Sequence, residues 1–286
     1  MKNIAYYNGK TGPIEEMMVP MNDRACYFGD GVYDATTALN HVPMHFDDHI
    51  DRIYNSAKLI DIEIPMPKEE MKRVLQSLID QVEGDSLFVY WQVTRGVGMR
   101  NHPYSGAATG PSLWAWVRPN SMRDVYGTYR CITMEDTRFL HCNIKTINLL
   151  PAVIANQRAV EAGCDETIFY RGERVTECSH SNVSVLKDGV FYSHPNDEFI
   201  LRGIAKTHII QACYRLGIPV LEKPFTFEFL KNADEVIVSS SSKFCLRAGT
   251  LNGQPVGGKD PATMKAIQDE VIREFYAYTG CTSLEG

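Results

Sequence analysis

A lone lysine, Lys145, lies in the stretch LHCNIKTINLLPAVIANQ at residues 140–157, with isoleucines and leucines around it. A strongly hydrated ammonium group normally avoids such a setting. Either the lysine stem lies on apolar surface while the amine reaches water, or the amine is desolvated and acts as a nucleophile toward a carbonyl group. The lysine alone does not decide between these interpretations, so other polar and charged residues of the chain have to be considered with it.

Two charged residues elsewhere in the chain, Glu177 and Arg52, also allow either a structural or a functional interpretation. Glu177 follows a predicted strand and precedes the small polar residues Ser179, Ser181 and Asn182. It is either a turn anion satisfied by hydroxyls and amides or an anion aimed at a heterocycle nitrogen that it keeps protonated. Arg52 lies on the polar face of a predicted helix, where it is either solvated or grips a phosphate.

Two further segments offer donors to an anion. The predicted strand in ADEVIVSSSS ends in four serines, Ser239–Ser242, whose hydroxyls and amides can bind an anion. In ILRGIAKT, Gly203 precedes a helix whose first amides belong to Ile204 and Ala205. The N-terminus of a helix is a ready site for an anion. Each signal is common by itself.

The predicted elements of the N-terminal half carry Arg52 on a helix and a second pair of polar residues, Arg100 and His102, on a loop. PMHFDDHIDRIYNSAKLIDI predicts a helix with Asp47 as its N-cap, and PKEEMKRVLQSLIDQV predicts a second helix with one apolar stripe. SLFVYWQVTRG is apolar on both faces and predicts a central strand. Arg100 and His102 alternate on the glycine-containing loop that follows this strand, so both can face one pocket.

The C-terminal half is richer in strands and gives an α+β pattern. DETIFYRGERVTE and NVSVLKDGVFYSHP predict hairpins that turn at Gly172 and at Gly189. Helices are predicted from Pro151, at Ile204–Leu216 and at about Pro261–Tyr278. The polar stretch RPNSMRDVYG predicts a linker at 120–130, between a smaller domain at 1–119 and a larger one at 131–286.

Composition narrows the classes of protein and of partner. The 286 residues carry a net charge of −6 and no basic cluster, so nucleic acid is not an expected partner. No apolar run is long enough to span a bilayer, so no membrane partner is expected either. The eight cysteines form no CxxC pair, which favours reduced thiols in the cytoplasm and no metal site.

Taken together, the motifs resemble those of the class IV aminotransferases, the fold-type IV enzymes that use pyridoxal 5'-phosphate. The chain is similar in particular to the D-amino-acid aminotransferases. FGDGVYD, CNIKTINLLP, VTECSHSNVSVLKDGVFYSHP, ILRGIAKT and the serine run occur in the order and at the spacing of that family. Together these motifs are specific, although each of them alone is not.

The resemblance implies a role for each matching residue. Lys145 would be the catalytic residue and would bond covalently to the cofactor, Glu177 would pair with the ring nitrogen, and Arg52 would hold the phosphate. The other implied cofactor contacts are Ser181, Asn182, Ile204, Ala205, Ser240 and Ser241. The implied substrate contacts are Tyr33, Arg100, His102, His180 and Ser242. Among these, Tyr33, Arg100 and His102 match the group that captures the α-carboxylate.

The resemblance also implies a fold, an assembly and a reaction. The expected fold is α+β, with a small N-terminal α/β domain and a large strand-rich C-terminal domain that contains a pseudo-barrel sheet. The expected assembly is a homodimer in which each subunit delivers its Arg100 and His102 loop to its partner. The expected reaction is ping-pong transamination between an amino acid and a 2-oxo acid, with D-amino acids such as D-alanine or D-glutamate favoured.

Five positions depart from the family pattern. His180 stands where a small hydroxyl residue is usual, and Cys178 replaces a small residue that is often glycine. Ala205 replaces a frequent threonine, so one hydroxyl contact to the phosphate is expected to be lost. Lys243 and Arg247 replace small or apolar residues. They are either surface charges, or groups that admit an acidic substrate side chain or alter the carboxylate site.

Three alternative functions stay open. A branched-chain L-amino-acid aminotransferase and a lyase of the aminodeoxychorismate type would both use Lys145 and the same cofactor. A binding protein without turnover is the third alternative, and the presence of both Lys145 and Glu177 argues against it. The Arg-x-His pair favours D- over L-amino acids, and keto-acid production without an amino acceptor would indicate the lyase.

Overall fold

A computed structural model of the chain describes residues 2–105, 110–121 and 124–282. The chain forms two compact units. Unit 1 comprises Met1–Met122, Ile144–Asn148 and Tyr276–Gly286, and unit 2 comprises Arg123–Asn143 and Leu149–Phe275. Lys145 therefore belongs to unit 1, whereas the predicted domain at 131–286 assigns it to the C-terminal part. Those predicted domain boundaries stay a prediction.

Unit 1 is built on a six-stranded antiparallel sheet with the order β2-β1-β6-β5-β3-β4. Its strands are β1 (Ile4–Tyr7), β2 (Lys10–Gly12), β3 (Gly31–Leu39), β4 (Val42–Pro43), β5 (Ser86–Thr94) and β6 (Ser112–Pro119). Its helices are α1 (Arg24–Phe28), α2 (Phe46–Leu59) and α3 (Lys68–Ile79), with a 3-10 turn at Ile14–Glu16.

The core of unit 1 lies between the sheet and its two longer helices. The predicted apolar stripe of α3 is buried at Met71, Leu75, Leu78 and Ile79. It packs in one cluster with residues of β3, β5 and β6, among them the fully buried Trp91. Burial of each such side chain contributes about 1.5–3 kcal/mol. This cluster supports β3 and α2, which carry most of the residues discussed below for this unit.

Unit 2 contains a nine-stranded mixed sheet with the order β12-β11-β10-β13-β14-β7-β8-β9, and β15 pairs with β14. Its strands are β7 (Thr128–Glu135), β8 (Glu166–Arg171), β9 (Arg174–Cys178), β10 (Asn182–Lys187), β11 (Val190–Ser193), β12 (Val220–Glu222), β13 (Glu235–Ser239), β14 (Leu246–Leu251) and β15 (Gln254–Pro255). The helices that follow β7 are α4 (Leu150–Glu161), α5 (Ile204–Arg215), α6 (Phe227–Lys231) and α7 (Pro261–Thr279).

The short link between β9 and β10 forces this sheet to curl. The two strands are consecutive in the chain, yet β13, β14, β7 and β8 separate them in the sheet. In a flat sheet that separation would be about 24 Å, because neighbouring strands lie ~4.8 Å apart. The link contains only residues 179–181, which reach about 14 Å at most. The sheet therefore closes partly on itself, in agreement with the predicted pseudo-barrel.

Most predicted elements are confirmed. The two predicted hairpins are the antiparallel pairs β8–β9 and β10–β11. The predicted helix at Ile204–Leu216 is α5, which ends at Arg215. The predicted N-cap at Asp47 is wrong, because α2 begins at Phe46 and its N-cap is His45, which has a left-handed backbone. Within the described residues, none of the helices combines the length and the apolar character needed to cross a membrane.

Candidate active site

The backbone of Lys145 is fixed against the outer edge of β3. The Tyr33 amide donates to the Lys145 carbonyl over 3.0 Å, and the Ile147 amide donates to the Gly31 carbonyl over 3.2 Å. A Cβ atom on Gly31 would lie 2.7 Å from the Val93 carbonyl oxygen, so only glycine fits where β3 begins. The lysine segment is thus held almost as an additional strand.

The amine of Lys145 lies beside an aromatic surface. Its Nζ donates to the Tyr33 hydroxyl over 3.3 Å and lies 4.3 Å from the centroid of that ring. The ring of Tyr33 stacks on Tyr90 at 5.5 Å, and the Lys145 amide donates to Ser56 Oγ over 3.2 Å. The lysine is half-buried, so its amine is oriented by neighbours without being sealed from the exterior.

A buried carboxylate, Asp34, orients Arg52. Arg52 donates to it through Nε over 2.8 Å and through Nη2 over 2.7 Å, and His49 Nδ1 lies 2.7 Å from the same carboxylate. Burial alone would raise the pKa of Asp34, but Arg52 and His49 hold it well below its usual range. Burial lowers the pKa of His49. Asp34 is therefore an anion that fixes the direction of the Arg52 guanidinium.

Arg100 and His102 are brought together on the ring of Phe28. The Arg100 guanidinium carbon lies 5.5 Å from the centroid of that ring, and the His102 ring lies 5.3 Å from it. Both side chains are exposed. Tyr33, Arg52, Arg100, His102 and Lys145 all belong to unit 1.

Glu177 is a buried acceptor in unit 2. Arg138 Nη1 donates to its Oε1 over 2.5 Å, while Asn182 Nδ2 and the Leu201 amide each donate to its Oε2 over 3.0 Å. Burial raises the pKa of Glu177, and Arg138 and the Leu201 amide act against that rise. The residue is thus a desolvated carboxylate whose charge is balanced by one arginine.

Arg138 is itself held by a second acid. Asp136 accepts from Arg138 Nε over 2.9 Å and from Nη2 over 2.8 Å, and Thr176 Oγ1 donates to the same carboxylate over 3.0 Å. Arg171 Nε lies 3.2 Å from Asp136. This network sets the position of the guanidinium that supports Glu177.

Two of the departures from the family pattern contact one another. Lys243 Nζ lies 2.7 Å from His180 Nε2, and it also donates to the buried Glu166 over 3.2 Å. Glu166 accepts from Ser181 Oγ over 2.9 Å and from Ser179 Oγ. The hydroxyl of Ser181, a predicted cofactor contact, is therefore engaged with Glu166.

The other departures are separate from this cluster. Arg247 Nε lies 3.0 Å from Glu235, which favours an ion pair over a substrate contact. Cys178 is buried in the core of unit 2, and Ala205 is half-buried in the first turn of α5.

The two predicted anion-binding segments have the expected local geometry. Helix α5 begins at Ile204, and the first amides of a helix have no partner within it. A Cβ atom on Gly203 would lie 1.8 Å from Asn182 Oδ1, so glycine is required there. After β13 the chain turns, and the Phe244 amide donates to the Ser240 carbonyl over 2.7 Å. The predicted site residues of unit 2 are Glu177, His180, Ser181, Asn182, Ile204, Ala205, Ser240, Ser241 and Ser242.

Comparison with known families decides the membership of the chain. The sequence model of the family described as amino-transferase class IV matches residues 31–249. The chain belongs to the class IV aminotransferases. It is therefore an aminotransferase that uses pyridoxal 5'-phosphate, and the resemblance predicted from its motifs is confirmed.

Relatives of this class IV aminotransferase carry a more specific name. A D-alanine aminotransferase of Listeria monocytogenes is 41% identical over 271 residues, which cover 91% of this chain and 93% of the relative. A D-alanine aminotransferase of Staphylococcus aureus is 36% identical over 267 residues, which cover 92% of this chain and 95% of the relative.

Solved structures of the same fold include branched-chain aminotransferases. The enzyme of the archaeon Thermoproteus uzoniensis, solved with norvaline, has a TM-score of 0.86 at 21% identity and covers 97% of this chain and 95% of its own. The Escherichia coli enzyme has a TM-score of 0.87 at 21% identity and covers 99% and 96%. These structures confirm the predicted fold-type IV architecture.

Asp34, Arg138 and Asp136 of this aminotransferase were not predicted from the sequence. Asp34 follows Tyr33 in FGDGVYD, and its being the one charged residue of the mostly buried segment GVYDATTAL was the available signal. Asp136 and Arg138 occur in the ordinary-looking segment EDTRFLHC. Nothing in that segment indicates a partner as distant in sequence as Glu177.

Proposed function

We propose that this aminotransferase moves an amino group between a D-amino acid, with D-alanine as the first candidate, and a 2-oxo acid. The observation that carries the proposal is the 41% identity, over 91% of the chain, to a protein named D-alanine aminotransferase. The Arg100 and His102 loop supports the D configuration, because it matches the group that captures the α-carboxylate in that family.

The donors and acceptors of the chain fit pyridoxal phosphate. Glu177 accepts hydrogen bonds from three groups, and a carboxylate offers about four lone-pair positions. One position thus remains for the proton of a ring nitrogen. Arg52 supplies a guanidinium oriented by Asp34, and the first amides of α5 suit a phosphate group.

Lys145 performs the proton transfer in this proposal. When bound, pyridoxal phosphate supplies an aldehyde that captures the amino group and a ring that withdraws electrons from the substrate Cα. The Lys145 amine removes the proton from that Cα as a base and later returns a proton as an acid. The Tyr33 hydroxyl, 3.3 Å from Nζ, orients the amine during both steps.

Arg100 and His102 bind the α-carboxylate of both substrates. An arginine fork gives two parallel charge-assisted hydrogen bonds, which orient a carboxylate as well as attract it. Once the carboxylate is fixed and the Cα hydrogen faces Lys145, the side chain has one remaining direction. This is how the loop would select one configuration.

We also infer a homodimer that works in the cytoplasm. The start of α4 exposes a row of apolar side chains, with Leu150 at 69% and Val153 at 59% exposure. A surface of this kind suits a second copy of the chain. All eight cysteines are free thiols, which favours a reducing compartment.

A paired assay tests the substrate class. Purified enzyme with added pyridoxal phosphate is given D- or L-alanine, glutamate or leucine, together with pyruvate or 2-oxoglutarate as acceptor. We expect turnover with D-alanine and 2-oxoglutarate and little with L-leucine. Preference for L-leucine would contradict the D configuration, and pyruvate formation without an acceptor would indicate a lyase.

A further inference from the structure

We propose that Arg24 is a positioning residue that sets the conformation of the Arg100 and His102 loop and thereby the affinity for the substrate carboxylate. The proposal rests on the proposed function, in which this loop binds the carboxylate. It deepens that function by naming the group that holds the loop in its binding conformation.

The base of the loop is tied to the segment that carries Arg24. Residues 22–24 run antiparallel to residues 96–98, joined by backbone hydrogen bonds of 2.9 and 3.0 Å. The buried Asp23 caps α1 by accepting from the Ala25 amide, and it also accepts from Thr94 Oγ1 at the end of β5 over 2.8 Å. The start of α1 is thus fixed beside the start of the loop.

The tip of the loop is held by the Arg24 guanidinium. Nη1 donates to the Asn101 carbonyl over 2.6 Å, and Nη2 donates to the His102 carbonyl over 3.3 Å. Arg24 is only 4% exposed, whereas Arg100 and His102 are exposed. A buried cation therefore grips the backbone of a loop whose functional side chains point into solvent.

Arg24 is anchored in turn by an ion cluster in which the arginines are buried and Asp30 is half-buried. Its Nε donates to Asp30 over 2.7 Å, and Arg95 Nε donates to both oxygens of Asp30 over 3.0 Å. Arg95 also donates to the carbonyls of Ile60 and Asp61 over 2.6 and 2.9 Å. These bonds connect the loop, through Arg24, to the end of α2.

Phe28 completes the arrangement from the other end of α1. The Arg24 guanidinium carbon lies 4.9 Å from the centroid of the Phe28 ring, and Arg100 and His102 approach the same ring. Contact with one aromatic ring brings the two functional side chains together. Arg24 thus fixes the backbone of the loop, and Phe28 fixes the side chains.

An arginine is required at position 24 because three acceptors lie in different directions around one planar group. A guanidinium presents five N–H donors in a rigid fork, whereas an ammonium is a compact point charge. Arg24→Lys would keep the charge near Asp30 and lose at least one of the two carbonyl contacts. Arg24→Gln would lose the charge as well.

Steady-state kinetics of the holoenzyme with D-alanine and 2-oxoglutarate test this proposal. We expect Arg24→Gln to raise KM for both substrates about tenfold, which corresponds to the loss of roughly one charge-assisted hydrogen bond. We expect kcat and the absorbance of the bound cofactor to stay nearly unchanged. The KM of Arg24→Lys should lie between that of the parent enzyme and that of Arg24→Gln. Arg118→Gln is the matched control, since Arg118 also stacks on aromatic rings of unit 1.

A double-variant cycle separates positioning from general damage. If Arg24 acts through the loop, Arg24→Gln raises KM by a smaller factor in an Arg100→Gln background than in the parent enzyme, where it also positions Arg100. Additive effects, or equal losses of kcat and of bound cofactor, would overturn the proposal. Arg24→Lys gives a second route if Arg24→Gln does not fold, because it loses at least one carbonyl contact of the loop, and an unchanged KM in that variant would also overturn the proposal.

The Arg100→Gln single variant distinguishes the two levels of failure. If it raises KM while Arg24→Gln does not, the positioning role is wrong and the carboxylate site stands. If Arg100→Gln leaves KM unchanged, the carboxylate site of the proposed function is wrong, and the role of Arg24 is refuted with it.

Discussion

Lys145 is located by its backbone rather than by its side chain. Its amide and carbonyl bond to Ser56 and to the Tyr33 amide, and its neighbour Ile147 bonds to Gly31. Among the described residues, the amine donates one hydrogen bond, to the Tyr33 hydroxyl. Replacing the Lys145 side chain should therefore abolish the proposed proton transfer and leave the backbone around Lys145 in place.

For this reason Lys145→Ala should lower turnover by roughly a thousandfold or more while thermal stability changes little. The absorbance of covalently bound cofactor should disappear. Lys58→Ala is a suitable control, because Lys58 is an exposed lysine of unit 1. An active variant with unchanged absorbance would show that another lysine is the catalytic one.

A different readout applies to Asp34. Asp34→Asn removes the anion that orients Arg52, so the dissociation constant of pyridoxal phosphate should rise about tenfold. Titration of the apoenzyme, followed by absorbance, measures this constant. Asp51→Asn changes an exposed acid in α2, paired at the surface with Lys68, and should have no effect. Equal constants for the two variants would refute the role of Asp34.

The residues that the sequence predicted and those that it missed differ in a physical way. Lys145 and Glu177 occur within specific local motifs, so their types and spacing are visible in one segment. Asp34 and Arg138 matter through partners 18 and 39 residues away. Such pairings are created by the tertiary fold, so local sequence patterns do not predict them.

At the scale of elements, the turn after β13 contains a strained residue. Phe244 has a φ of 50°, which is costly for a residue with a bulky side chain. Its ring packs edge-on against Phe275 with centroids 4.5 Å apart. The packing of the ring stabilises a backbone that glycine would adopt more readily.

This strain reverses the usual order of two substitutions. Phe244→Ala should destabilise unit 2 by about 3–5 kcal/mol through loss of the ring. Phe244→Gly should be about 1 kcal/mol more stable than the alanine variant, because glycine tolerates positive φ. Denaturant unfolding measures both. At Phe225, which is buried and is not among the residues with positive φ, alanine should be the more stable replacement. If the alanine and glycine variants had the same order of stability at Phe244 as at Phe225, this would argue against backbone strain at Phe244.

The link between β9 and β10 is also sensitive to acid. Burial alone would raise the pKa of Glu166, but His180, Lys243 and Ser179 lower it to about 2. The unfolded chain, with a usual pKa of about 4.5, binds more protons between these values. The contribution of Glu166 to stability is therefore present above pH 4.5 and is lost as the pH falls toward 2.

Glu166→Gln should lower stability at pH 7 and flatten its fall between pH 4.5 and pH 2. The depressed pKa corresponds to on the order of 3 kcal/mol. Unfolding curves at a series of pH values provide the measurement, with Glu161→Gln as an exposed control. A variant that keeps the full acid dependence of the parent would exclude Glu166 as its source.

Elements formed by local contacts were predictable, and the sheet that joins them was not. The hairpins β8–β9 and β10–β11 follow from glycine turns between alternating strands. The parallel pairing of β7 with β14 joins Thr128 to Arg247, and no turn or period in the sequence indicates it. The resemblance to the family supplied that part of the architecture.

At the scale of the whole molecule, the apolar start of α4 predicts the assembly. Val153→Glu places a charge in the proposed contact with a second copy and should shift the protein toward monomer, with lower activity. Light scattering coupled to gel filtration measures the mass. Asn55→Asp, which adds one negative charge at an exposed position of α2, is the control. A parent protein that is already monomeric would contradict the homodimer.

The pairing of β7 with β14 also has a consequence for biosynthesis. Residues near 128 leave the ribosome long before residues near 247, and at ~5–20 residues per second the delay lasts about 6–24 seconds. During that interval the nascent chain exposes one edge of β7 without its final neighbour, and such edges invite aggregation. The yield of active enzyme in cells should therefore depend on chaperones present during translation more than on the stability of the finished fold.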